Sequence, residues 1–242
     1  MQKTMISKIL AWTSLCLLSV VFLPNRIWAL HPLHESTYLA FPQGLTGGKG
    51  AMHLALIVPR GGDALYIPVG GALALGSSVE VGAGLKTVLG DASDIQYLTF
   101  GGQFAGLGHS VYGLHLLLDA NGGDNHGLTA TYFHQGGLSR RIATALGLRL
   151  GFMEALVAEN ALMAMEAGYA LRLALSHGVA LQAGLVAASQ TKHFNDYFSL
   201  DFEPEVRVGT GRQSAVATIL TLGLAGERRE DFRVKVAWTQ RF

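Results

Sequence analysis

The sequence predicts an all-β fold, a transmembrane antiparallel up-and-down β-barrel of about 12 strands joined by short turns. Three observations predict it. First, the 242-residue chain is half hydrophobic, carries only 14% charged residues and has a mean hydropathy of +0.32. A soluble domain carries about 25% charge. Second, 31 glycines are scattered along the chain without a period. Each interior glycine costs a helix roughly 1 kcal/mol, which argues against a helical bundle. Third, apolar residues alternate with polar or small ones in segment after segment, and turn-forming residues divide the segments at nearly regular intervals. The composition also excludes disorder, which needs a polar, charge-rich chain. The length suits one domain or at most two.

In chain order, residues 1–29 read as a signal peptide. Lys3 and Lys8 flank the start of an uncharged apolar run from Ile9 to Leu23. The run is shorter than the ~20 residues of a membrane helix and suits secretion. Ile27-Trp28-Ala29 supplies a cleavage site, placing the mature start near Leu30. Cys16, the sole cysteine, lies inside the run, so the mature chain has no disulfide or thiol chemistry. Three basic and no acidic residues leave with the peptide, so fifteen basic face seventeen acidic residues, a net charge of −2. No nucleic-acid partner is indicated. Residues 30–50 contain His31, His34, Tyr38, Phe41 and Pro42; they form a lead-in or a plug ahead of a barrel spanning 51–242.

Eleven turn signals cut the remainder into twelve segments: 51–59, 64–75, 78–89, 94–107, 110–118, 126–135, 140–152, 161–175, 178–190, 197–208, 213–226 and 231–242. Gly61-Gly62-Asp63, Gly76-Ser77-Ser78, Gly90-Asp91, Gly108-His109-Ser110, Asn121 to Asp124 and Gly136-Gly137 bound the first six. The seventh, eighth and ninth alternate against a second face that is mostly Gly and Ala. In 161–175, Met163, Met165, Ala167, Tyr169, Leu171, Leu173 and Leu175 alternate with Glu166, Gly168 and Arg172. This periodicity outweighs the helix propensity of Met153 to Leu156 and the residues after them. The tenth sets Phe198, Leu200, Phe202, Val206 and Val208 against Ser199, Asp201, Glu203, Glu205 and Arg207, with Pro204 interrupting its ladder. The twelfth is the clearest: Phe232, Val234, Val236, Trp238, Gln240 and Phe242 oppose Arg233, Lys235, Ala237, Thr239 and Arg241. Most segments exceed the ~9–11 residues needed to cross a bilayer at a tilt of about 45°.

With both ends on the periplasmic side, the three longest connections (119–127, 153–160 and 191–196) all fall outside, the asymmetry of bacterial outer-membrane barrels. Aromatics fall at the strand ends as interface girdles: Phe152, Phe198 and Phe232 near the outer rim, Phe104, Tyr112, Trp238 and Phe242 near the inner.

A final strand ending in Phe242, with alternating apolar residues and Trp238 four before the end, resembles the assembly signal of bacterial outer-membrane β-barrel proteins. Gln240 departs from it, since that position is usually apolar. More narrowly, Ser78 to Leu85, Gly90-Asp91 and Leu98-Thr99-Phe100-Gly101-Gly102 resemble transporter barrels found with aromatic-compound and phenol degradation. The resemblance implies an outer-membrane location, outer-membrane lipids and the barrel-assembly machinery as partners, and a small-molecule solute.

The facing assignment lines the lumen with Glu80, Lys86, Gln103, His115, Arg141, Arg149, Glu166, Arg172, Asp201, Glu203, Glu205, Arg207, Arg233, Lys235 and Arg241, among glycines and alanines. Eight-stranded barrels fill with side chains and ~16 strands leave an aqueous channel. Twelve strands with small inward residues therefore predict a narrow passage for small solutes, or a barrel closed by ion pairs. No cofactor or metal is expected, and no catalytic residue is assigned. The rival is a lipid-modifying hydrolase, which requires Ser, His and an orienting group together. His109-Ser110 lies in a predicted periplasmic turn, where adjacent residues point apart. His34-Glu35-Ser36 lies outside the barrel. His193, Asn195 and Asp196, like Asp124 and His126, read as turn chemistry. No histidine has zinc-site spacing, and the calcium-like run from Asp119 has Ala130 where the twelfth-position Glu is required.

Overall fold

In every segment the backbone's only way to satisfy its N–H and C=O groups in an apolar medium is a neighbouring strand, and closure removes the last two edges. The computed structural model describes residues 49–59, 64–90, 96–107, 109–120, 126–139, 141–152, 163–190, 198–226 and 232–242. They form twelve strands: β1 (Gly50–Pro59), β2 (Ala64–Ala74), β3 (Val79–Gly90), β4 (Gln96–Ala105), β5 (Ser110–Asp119), β6 (Gly127–Gly137), β7 (Ile142–Phe152), β8 (Met163–Ala174), β9 (Val179–Gln190), β10 (Ser199–Gly209), β11 (Ser214–Ala225) and β12 (Arg233–Arg241). Each strand pairs antiparallel with its sequence neighbours, and β1 pairs with β12 to close the barrel. The bounds fall within two residues of the predicted ones. Met163–Ala174 is strand; the helix-favouring residues 153–160, the signal peptide and nearly all of the lead-in lie outside the described residues. No helix among the described residues is long and apolar enough to cross a membrane.

Closure runs from Ala51↔Arg241 to Pro59↔Arg233. Beyond it Lys49 N donates to Phe242 O at 2.9 Å, and Phe242 N donates to Gly50 O at 3.2 Å. The C-terminal residue is thus part of the seam. The turns at this end are tight. Gly106 N donates to Ser110 O at 2.8 Å and Thr210 N to Ser214 O at 3.0 Å. The hydroxyl of Ser139 accepts from the N–H groups of Arg141 and Ile142 at 3.2 and 3.1 Å. The connections with long predicted loops lie at the opposite end, their central residues outside the described set.

Two prolines each interrupt the ladder on one side of their strand and leave the other side paired. Pro204 pairs with Ala183 of β9, while the β10–β11 pairs skip from Phe202↔Leu222 to Glu205↔Ile219. Pro68 pairs with Lys86 of β3, while the β1–β2 pairs skip from Leu54↔Val69 to Ile57↔Tyr66. A bulge between Leu200 and Asp201 leaves Leu224 as the extra residue on β11.

Period two then sorts the side chains. In β1, Leu54 is 43% exposed and Ala55 2%. Outward leucines, valines and aromatics of this kind recur around the wall, among them Met52, Leu73, Leu85, Leu114, Leu148 and Leu171. A contiguous apolar exterior of this extent marks a surface built for lipid. The inward set is small, polar or charged, with apolar exceptions such as Ile57, Leu117, Phe133 and Val186.

Candidate functional site

The interior has two unlike walls. On β1 to β6 it is mostly alanine, glycine, threonine and histidine, with Glu80 the one buried carboxylate among the described residues of that wall. On β7 to β12 stand Arg149, Glu166, Arg172, Asp201, Glu203, Glu205, Arg207, Arg233, Lys235 and Arg241. The polarity of β10 is local in origin: alternation places Asp201, Glu203, Glu205 and Arg207 on one face, and Phe202, Val206 and Val208 on the other.

These charges are grouped. Arg149 and Glu166 are register partners across β7 and β8, and the guanidinium donates to the carboxylate. Arg207 Nε donates to Glu205 Oε1 at 2.7 Å, two residues away on the same face. On β12, Arg233 reaches Glu203 at 3.6 Å and donates to Thr221 Oγ1 at 3.3 Å. The Thr221 hydroxyl in turn donates to Glu203 Oε1 at 2.7 Å. Arg241 lies within electrostatic reach of Glu80, three strands round the wall, and Arg207 within reach of His53 and Arg172. Charges inside a low-dielectric wall need such partners, because each one's desolvation costs several kcal/mol if unmatched. The bridged arginines are not fully enclosed: the side chains of Arg149, Arg207 and Arg233 keep 18%, 12% and 11% exposure.

The opposite wall is shaped by close approach. His115 Nε2 lies 3.4 Å from Thr131 Oγ1, with its ring laid over Gly101 and Gly113. A Cβ at Gly101 would overlap the imidazole, and one at Gly113 would come within 2.7 Å of Nε2. At the seam, His53 Nδ1 lies 3.2 Å from Thr239 Oγ1.

Of the residues assigned to the lumen by pattern, Glu80, Gln103, His115, Glu166, Asp201, Glu203, Glu205 and Lys235 are buried on the inward face. Arg149, Arg172, Arg207, Arg233 and Arg241 are inward and half-buried. Arg141 stands apart, exposed in the turn before β7, because that strand begins at Ile142. Lys86 pairs with Pro68 and Tyr97; its side chain is outside the described set. Phe104, Tyr112 and Phe152 are exposed, and Phe198, Phe232 and Trp238 half-buried. Pattern reading missed His53, Thr99, Thr129 and Thr221, all buried. His53 was hidden because both faces of β1 are apolar; Thr221 shares the inward parity of Ala215 and Ala217, so alternation along β11 was the signal that could have found it. No three His, Cys, Asp or Glu side chains among the described residues gather as a metal site.

No family model matches the chain, and no curated protein matches it in sequence. Solved structures do match in shape. The KdgM porin superposes with a TM-score of 0.61 at 8% identity, over 79% of this chain and 99% of that one. The NanC porin gives 0.61 at 6% identity, over 79% and 100%. Further away, at a TM-score of 0.49 and 14% identity over 80% and 94%, is an outer membrane channel from Pseudomonas putida F1. At these identities the likeness is one of fold.

Proposed function

We propose that the chain is a narrow outer-membrane channel through which small polar or ionic solutes diffuse. The observation that carries this is the set of acid–base groups lining one inner wall, with the side chains of Arg149, Arg207 and Arg233 still partly accessible. A barrel whose outside is apolar and whose inside presents paired charges beside small side chains offers a polar solute a route that lipid does not. The fold likeness to two porins supports the reading. One of them has been solved in complex with disordered oligogalacturonate, which makes small acidic sugars the first solutes to assay. The signal peptide at 1–29, recognition of Phe242 by the assembly machinery and the aromatic girdles belong to the same proposal. They take the chain to the outer membrane and seat it there.

A second reading, a barrel closed by its own ion pairs, is favoured by the deep burial of Glu80, Asp201 and Lys235. Conductance of the refolded protein in planar bilayers separates the two. Discrete steps are expected, with a reversal potential in a salt gradient that reports the winning charge. A folded, heat-modifiable barrel without steps would establish the closed form.

A further inference from the structure

We propose that the outer surface at the short-turn end carries a binding site for a phospholipid headgroup, built from Ser110, Tyr132 and His134. The inference rests on the barrel spanning a membrane, and not on its conducting solutes. Ser110 opens β5 and is the register partner of His134 on β6. Its hydroxyl lies 2.9 Å from His134 Nδ1 and 3.3 Å from the Tyr132 hydroxyl. Parity puts all three on the outward face, in line with the exposed Tyr112, Leu114 and Leu116; Ser110 itself is buried there, and Tyr132 and His134 are half-buried. His109, adjacent in sequence to Ser110, takes no part in this cluster; the functional partner lies 24 residues on.

The cluster stands at the boundary where the apolar band gives way to polar turns. On the band side, the Tyr112 ring stacks on Phe104 at 5.4 Å and meets Tyr132 at 5.2 Å. Gly106 allows this, since a Cβ there would overlap the Tyr112 ring. On the turn side, Ser139 and Arg141 are exposed. Aromatic rings with polar tips occupy the headgroup level of a bilayer. There the three polar groups form a relay. With Tyr132 donating to Ser110, and Ser110 to Nδ1 of His134, the imidazole carries a proton on Nε2. That N–H is a donor to a lipid phosphate oxygen, and exposed Arg141 adds a cation at the same end. Hydrolysis is the less supported use of a Ser–His pair here. No carboxylate or amide orients His134 among the described residues, and its Nδ1 already faces the serine.

The test is native mass spectrometry of the full refolded chain, released from detergent micelles containing phosphatidylglycerol or, separately, diacylglycerol. A retained one-to-one phosphatidylglycerol adduct, with diacylglycerol lost, is expected. His134→Ala is expected to lower that adduct about tenfold, the effect of losing one hydrogen bond to a charged group, and Tyr132→Phe about threefold, the effect of losing a neutral hydrogen bond that positions the relay. Tyr132→Phe keeps the ring, and heat-modifiability verifies its fold. Equal retention of diacylglycerol, or adducts unchanged in both variants, would overturn the site. So would complete displacement by millimolar inorganic phosphate, which would reassign it to the free ion. Release of fatty acid by the native chain, abolished in Ser110→Ala, would replace binding by catalysis. Bilayer conductance reports separately on the proposed channel.

Discussion

Arg149 and Glu166 show what a single buried charge demands. They meet across β7 and β8 inside the wall, and removing the arginine takes the bridge from the more deeply buried carboxylate. Arg149→Met alone is expected to destabilise the barrel by about 3–5 kcal/mol, whereas adding Glu166→Leu to it recovers most of that loss. Urea titration of the folded fraction in lipid vesicles measures both; equal losses would show that the pair is not coupled. Gly226 is a second case at this scale. Its φ is +102°, and a Cβ there would overlap the Phe198 carbonyl oxygen. Gly226→Ala is expected to cost more than about 1 kcal/mol, while Gly137→Ala, with nothing within 4 Å of its Cβ, is expected to be neutral or mildly stabilising. The same titration compares them.

At the scale of elements, alternation carries most of the information. It identified all twelve strands because an inward charge and an outward leucine cannot exchange faces without burying one and stranding the other. Where both faces are apolar, as in β1, it is silent on facing, and His53 went unassigned. Register was equally out of reach. The Ser110–His134 and Arg149–Glu166 pairings depend on how many residues each connection takes up, and the Leu200/Asp201 bulge changes the match of β10 to β11. The seam gives this scale its prediction. Phe242 closes β1 against β12 through two backbone bonds, so deleting it is expected to lower the heat-modifiable fraction in outer-membrane preparations severalfold, because the barrel's last edge pairs are lost. An unchanged fraction would remove Phe242 from assembly.

For the whole molecule, the balance of inward charge decides selectivity. Arg233 and Lys235 face inward on β12, and Arg233 holds Glu203. Replacing both with Ala removes two cations and releases a carboxylate, so the reversal potential in a salt gradient is expected to shift toward cations. Asp201→Asn with Glu205→Gln is expected to shift it toward anions. Because fixed charges act through the lumen field, both shifts are expected to shrink as salt rises from 0.1 to 1 M and the screening length falls from about 10 to about 3 Å. Unchanged potentials in both variants would remove these residues from the conducting path.

The amino-acid sequence by itself determined the class of the fold, the strand count and the polarity of each charged strand. These follow from period two, from glycine and turn residues, and from the cost of placing charge against lipid, all of which are local. Only the tertiary structure decided which charges meet, that Arg141 stays outside the barrel while Thr221 bridges Arg233 and Glu203, and that Ser110 finds His134 on the outward face at the short-turn end. Those facts depend on register and closure, which couple residues far apart in the chain and leave no periodic mark in it.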